Sequence, residues 1–106
     1  MAKPALPPVD YVRQYNAAAA DAFQALRKAA VAGPLDDHTC ELIVLGALVT
    51  AGEEGSFKVH ARRLLKGGVA PEALRQAVMV TLAASTTFSQ IVSGLRWVDA
   101  LVEEAG

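Results

Sequence analysis

The chain has one cysteine, Cys40, in 106 residues. A single thiol excludes an internal disulfide, a CxxC redox pair and a multi-thiolate zinc site within one chain. Nothing basic flanks Cys40, so it reads as a small buried apolar residue. Aromatic residues are few, at three Phe, two Tyr and one Trp, and there are two histidines. Ten basic residues against eleven acidic ones leave a net charge of −1. No large positive field exists for nucleic acid or an anionic membrane, and neither partner is expected. Long apolar runs are missing as well. The longest, Leu42 to Ala51, is half of the ~20 residues that a spanning helix needs. The N-terminus lacks the apolar core of a secretory signal, so a cytoplasmic protein is expected.

What the chain does have is alanine, with 21 residues, in a composition that is 53% hydrophobic. Small side chains in that proportion point to close-packed helices. The length fits one domain. Residues 1–9, with three prolines, read as an extended arm, and residues 10–106 as a single helical domain. No alternating strand pattern and no internal repeat appears.

Glycine and proline divide the domain into helices. Asp10 is placed to cap a first helix running to about Ala30, with Tyr11, Val12, Tyr15, Ala18, Ala19, Ala22, Phe23 and Leu26 as its stripe. Leu35-Asp-Asp37 caps a second, running to about Ala51. After Glu41 that helix is apolar on every side, which marks it as buried, in part against another subunit. A third runs from about Ser56 to Lys66 and stops at Gly67-Gly68. Pro71 opens a fourth, expected to continue through Ala84. After Ser85-Thr-Thr87 comes a fifth, with Phe88, Ile91, Val92, Leu95, Val98 and Val102 as its buried stripe.

Few residues are left to carry chemistry. His38 lies in the first turn of the second helix, in polar and exposed surroundings. Glu53, Ser56 and His60 recur at spacings of three and four, so they share one helical face. Glu41 opens the most apolar helix, and a partly buried carboxylate needs a partner. An antiparallel hairpin of the second and third helices brings Glu41 towards His60 and Arg63. A carboxylate that orients an imidazole is a recurring acid–base device. It is equally a plain hydrogen bond tying two helices together. Lys58, Arg62 and Arg63 read either as an anion site or as a solvated helix end. Trp97 reads as a packed aromatic or a pocket wall. No phosphate-binding glycine loop is present.

The stretch from Glu41 to Gly52, then His60 to Ala77 with the turn Gly68-Val-Ala-Pro-Glu-Ala-Leu-Arg75, resembles the carboxymuconolactone decarboxylase / alkylhydroperoxidase D-like superfamily. The likeness covers about Leu35 to Leu101. It implies an all-α bundle of five to six helices that assembles as a homotrimer or homohexamer. In the peroxidase branch a cysteine pair precedes the His. Aligned here, that pair falls on Glu53 and Ser56, and the branch's second His falls on Gly55. The turn also departs from the pattern, with Ala73 where a Glu is usual. The resemblance is therefore to the branch without the cysteine pair. It implies a cofactor-independent, metal-free lyase acting on a small carboxylated or lactone substrate. His60 and Glu41 would be the acid–base pair, Glu53 a proton relay, and Ser56 and Arg63 substrate-binding. The alternatives are a non-catalytic oligomeric scaffold or small-ligand binder that kept the fold, and a thiol peroxidase using Cys40 between subunits.

Overall fold

Short polar side chains set where the helices begin. The computed structural model describes residues 6–106, and among them the chain is all-α. Six α-helices and one 3-10 turn form two compact units, one ending at Leu35 and the other running from Asp36 to Gly106. Among the described residues no helix is long and apolar enough to cross a membrane.

The first unit holds α1 (Pro8–Arg13) and α2 (Ala17–Val31). The single helix expected from Asp10 is thus broken. The reason lies in Asn16, whose side chain accepts a hydrogen bond from the Ala19 amide at 2.9 Å and so begins a new helix. The Arg13 guanidinium spans the break, donating to Asp21 at 2.6 Å and Gln24 at 2.8 Å. Of the arm expected over residues 1–9, Met1–Ala5 lie outside the described residues, while Pro8 and Val9 are already helical. Ala20 is buried here, whereas Tyr15, Phe23 and Leu26 of the expected stripe are exposed.

The second unit is a four-helix arrangement of α3 (Asp37–Ala51), α4 (Glu54–Lys66), α5 (Pro71–Met79) and α6 (Phe88–Ala105). Asp36 caps α3 by accepting from the Thr39 amide at 2.8 Å. Gly52 ends α3 in the left-handed region, at φ 73°, which favours glycine. The fourth helix of the sequence reading stops five residues early, at Met79. Val80–Ala83 tighten into a 3-10 turn, where the Thr81 hydroxyl donates to the Val78 carbonyl at 2.6 Å. Thr87 and Gln90 form a reciprocal capping box at the start of α6. The Gln90 amide also donates to the Thr50 carbonyl at 2.9 Å, which fastens α6 to the end of α3.

The core is built from Leu45 and Val49 of α3, Phe57, Ala61 and Leu64 of α4, Leu74 and Val78 of α5, and Ile91, Val98 and Leu101 of α6. One expectation of burial fails. Phe88, the first residue of α6, is 71% exposed, because it stands ahead of the face that enters the core. Ile43 is 58% exposed, so α3 is apolar all round but covered on one side. At Gly94 the helices approach closely. A Cβ added there would meet methyls of Val49 and Val78, both at 3.0 Å. Both valines are fully buried and have nowhere to move. Overpacking costs about 1–3 kcal/mol and alanine's helix propensity returns about 1 kcal/mol, so Gly94→Ala is expected to destabilise by about 1 kcal/mol net in urea unfolding. An unchanged or raised midpoint would contradict that packing.

The Asp36 cap also sets a pH expectation. Its hydrogen bonds with Thr39 hold its carboxyl below the ordinary 3.8. A carboxyl lowered by folding contributes stability above its unfolded value and loses it as pH falls through the folded one. Asp36→Ala is therefore expected to lower the melting temperature at neutral pH, with the gap to wild type closing below about pH 3.8. A gap that persists in acid would mean that the cap acts without its charge.

Candidate active site

The α3–α4 hairpin places the site. The turn after Gly52 reverses the chain, with the Glu53 amide donating to the Leu48 carbonyl at 2.9 Å. Phe57, Ala61 and Leu64 then lock α4 onto Leu45 and Val49. This antiparallel register sets Glu41, near the start of α3, against His60, at the middle of α4. The His60 Nδ1 lies 2.6 Å from Glu41 Oε2. An ionised carboxylate only accepts, so in that state the shared proton sits on Nδ1. Arg63 Nη1 donates to the other carboxylate oxygen, Oε1, at 3.4 Å. The His60 and Glu41 side chains are 16% and 14% exposed, against 54% for Arg63. A carboxylate so far withdrawn from water needs charged or hydrogen-bonding partners, and α4 supplies them.

The basic cluster on α4 separates into three ion pairs. Lys58 pairs with Glu54 at 2.7 Å, one turn back. Arg62 donates to both carboxylate oxygens of Glu104 on α6, at 2.8 and 3.1 Å. Those bonds hold the Glu104 carboxyl below its ordinary value and raise the guanidinium's. Only Arg63 turns to Glu41. The three cations therefore do not form one anion site.

Glu53 and Ser56 stand elsewhere on the helix. Glu53 is exposed at the N-terminal end of α4, seven residues and about 10 Å along the axis from His60. Ser56 is half-buried, one turn before His60. Cys40 is half-buried beside Glu41. His38 is exposed, its Nε2 close to Gly67 at the end of α4. Trp97 packs its ring against Phe57, with centroids 5.2 Å apart and planes at 58°. Among the described residues, no three His, Cys, Asp or Glu side chains are grouped to hold a metal ion.

A feature the sequence reading missed is a groove of about 460 Å³ between α3, α5 and the 3-10 turn. Its walls include Leu42, Ile43, Gly46, Ala77 and Val80, and no charged side chain lines it. The signal available was Gly46, a residue without a side chain inside an apolar helix.

An all-α bundle with a carboxylate–imidazole pair across a helical hairpin defines the class of protein. The chain belongs to the carboxymuconolactone decarboxylase family, whose family model matches residues 17–100. Comparisons with curated proteins and with solved structures returned no match.

Proposed function

We propose that this chain is a cofactor-independent carbon–carbon lyase acting on a small carboxylated or lactone substrate. The observation that carries the reading is the 2.6 Å contact between His60 Nδ1 and Glu41 Oε2. With Nδ1 held by a carboxylate, Nε2 is the nitrogen that exchanges a proton with substrate. Decarboxylation asks for little else. The carbon–carbon bond electrons pass into a conjugated carbonyl, CO₂ leaves, and the enolate takes a proton at carbon from His60. A site withdrawn from water favours loss of the substrate's charge. In this reading Glu41 orients the imidazole, Arg63 and Ser56 contact substrate, and Glu53 passes protons towards solvent.

Self-association belongs to the same proposal. Ile43 and Val80 are 58% and 60% exposed in the walls of the α3–α5 groove. Exposed apolar side chains grouped in this way support a homotrimer or homohexamer. A cytoplasmic location completes the reading.

The test is a screen of unsaturated lactones and unsaturated carboxylic acids, read by CO₂ release and by ring absorbance, with no added cofactor. Wild type is expected to turn over at least one of them. Glu41→Gln keeps a side chain of the same shape but removes the charge that stabilises imidazolium. It is expected to lower kcat by about 10²-fold or more, the lower end of what positioned acid–base groups contribute. Full activity in Glu41→Gln would reduce the pair to a helix tie.

A further inference from the structure

The start of α6 is pinned to the end of α3 by two hydrogen bonds. The Thr86 and Thr50 hydroxyls meet at 2.6 Å, and the Gln90 amide donates to the Thr50 carbonyl at 2.9 Å. Phe88 lies between those two anchors, yet it is 71% exposed. An aromatic side chain on a backbone fixed at both sides loses little further freedom on binding. It is a preorganised anchor that leaves most of its apolar surface in water.

A receptor for such a ring lies close by. Thr50 and Ser85 both line the groove between α3, α5 and the 3-10 turn. Phe88 follows Ser85 by three residues, so its backbone lies within about 11 Å of that wall. The groove has a volume of about 460 Å³. A cavity of about 150 Å³ already holds a benzene ring. No charged side chain lines the groove, and its threonines turn their hydroxyls to the protein. Thr50 donates to the Gly46 carbonyl at 3.2 Å and Thr81 to the Val78 carbonyl at 2.6 Å, while Thr39 bonds to Asp36. What these side chains offer an occupant is methyl groups. A neutral apolar occupant fits, whereas an ionic one would lose its hydration without a partner. The chain's own Phe88 does not line the groove.

We propose that the groove of one copy receives Phe88 from a second copy, and that the exchange is reciprocal. This rests on the self-association proposed above, and it adds the residue that fills the interface and the symmetry that relates the copies. Ring and groove are neighbours on the surface of each copy. A two-fold axis beside them therefore seats both rings at once, each in the other's groove. A head-to-tail ring of subunits would use two separate patches instead. Ile43 and Val80, more than half exposed in the groove walls, then close over the incoming ring. The assembly accordingly holds an even number of chains, which a homohexamer satisfies and a homotrimer does not.

The experiment is analytical ultracentrifugation of the full chain over a dilution series, for wild type, Phe88→Ala and Ile43→Glu. Wild type is expected to form a particle with an even number of chains. Phe88→Ala is expected to weaken the two-fold contact by about 100-fold or more, because each interface loses two anchors. Its helix content by circular dichroism is expected to stay unchanged. Ile43→Glu sets a charge in the groove wall and is expected to weaken the contact as well. The decisive arm mixes these two variants. In the mixed pair, Phe88 of the Ile43→Glu copy meets the unaltered groove of the Phe88→Ala copy, so one contact of the two is intact. The mixture is expected to pair more tightly than either variant alone. A mixture no tighter than its components, or Phe88→Ala associating as wild type does, would overturn the proposal. A wild-type trimer would overturn it and leave self-association standing. A wild type that stays monomeric in concentrated solution would sink both, and an apolar dye bound in its groove would give that site to a small ligand.

Discussion

Phe57→Ala is expected to lower the unfolding free energy of this protein by about 3–5 kcal/mol, the usual cost of removing a buried aromatic ring. Phe57 is fully buried, and its ring meets Trp97 of α6 in a tilted pair. Such pairs add about 0.5–1.5 kcal/mol beyond the area that they bury. The ring also stands one turn before His60 and sets α4 against α3. The substitution should therefore loosen the Glu41–His60 contact as well as the core. Urea unfolding followed by circular dichroism measures it, through a lower midpoint at unchanged slope. A loss below about 1 kcal/mol would mean that the surrounding side chains close the cavity, against the tight packing seen at Gly94.

His60→Gln is expected to reduce kcat by about 10²–10⁴-fold with little change in stability. Glutamine keeps an N–H that reaches the Glu41 carboxylate, so the partly buried charge retains a donor. It has no proton that titrates near neutrality, so acid–base work stops. A purely structural contact would show the opposite balance, with activity kept and stability changed. Kinetics and a thermal melt on the same preparation separate the two. Imidazole added to His60→Ala offers a second readout, since partial recovery of rate requires the ring and not the fold.

Most of the helices could be read from the sequence because their boundaries carry strong local signals. Asp36 and Thr87 act through local side-chain caps and Pro71 and Gly52 through their own backbones, and the structure places helix ends at or near each. The break at Asn16 was hidden by the continuous apolar spacing on both sides of it. A single amide cap outweighed that periodicity. The early end of α5 was hidden in the same way, since apolar residues run on through Val80–Ala83 while the backbone tightens to 3-10. Exposure was less legible still. Periodicity placed Phe88 and Phe23 in buried stripes, and both are more than half exposed. Periodicity gives the side of a helix, and what covers that side depends on its neighbours.

The meeting of Glu41 and His60 was legible from two facts, a carboxylate opening an apolar helix and a hairpin joining it to the next. The division of the basic cluster was not. Lys58, Arg62 and Arg63 lie within six residues, yet each finds a different carboxylate. Glu104 is 42 residues from Arg62, a partner that only packing of α6 on α4 supplies. Phe57 carried no signal of its own, being one aromatic in a helix otherwise read for its charges.

The central claim is that Glu41 and His60 act as one acid–base unit. The most direct measurement is kcat/KM for wild type, Glu41→Gln, His60→Gln and the double variant, on one substrate. For a carboxylate that works only through the imidazole, the double variant is expected to be no slower than His60→Gln alone. If the two losses multiply instead, each residue acts independently, and the pairing across the hairpin is not the catalytic device.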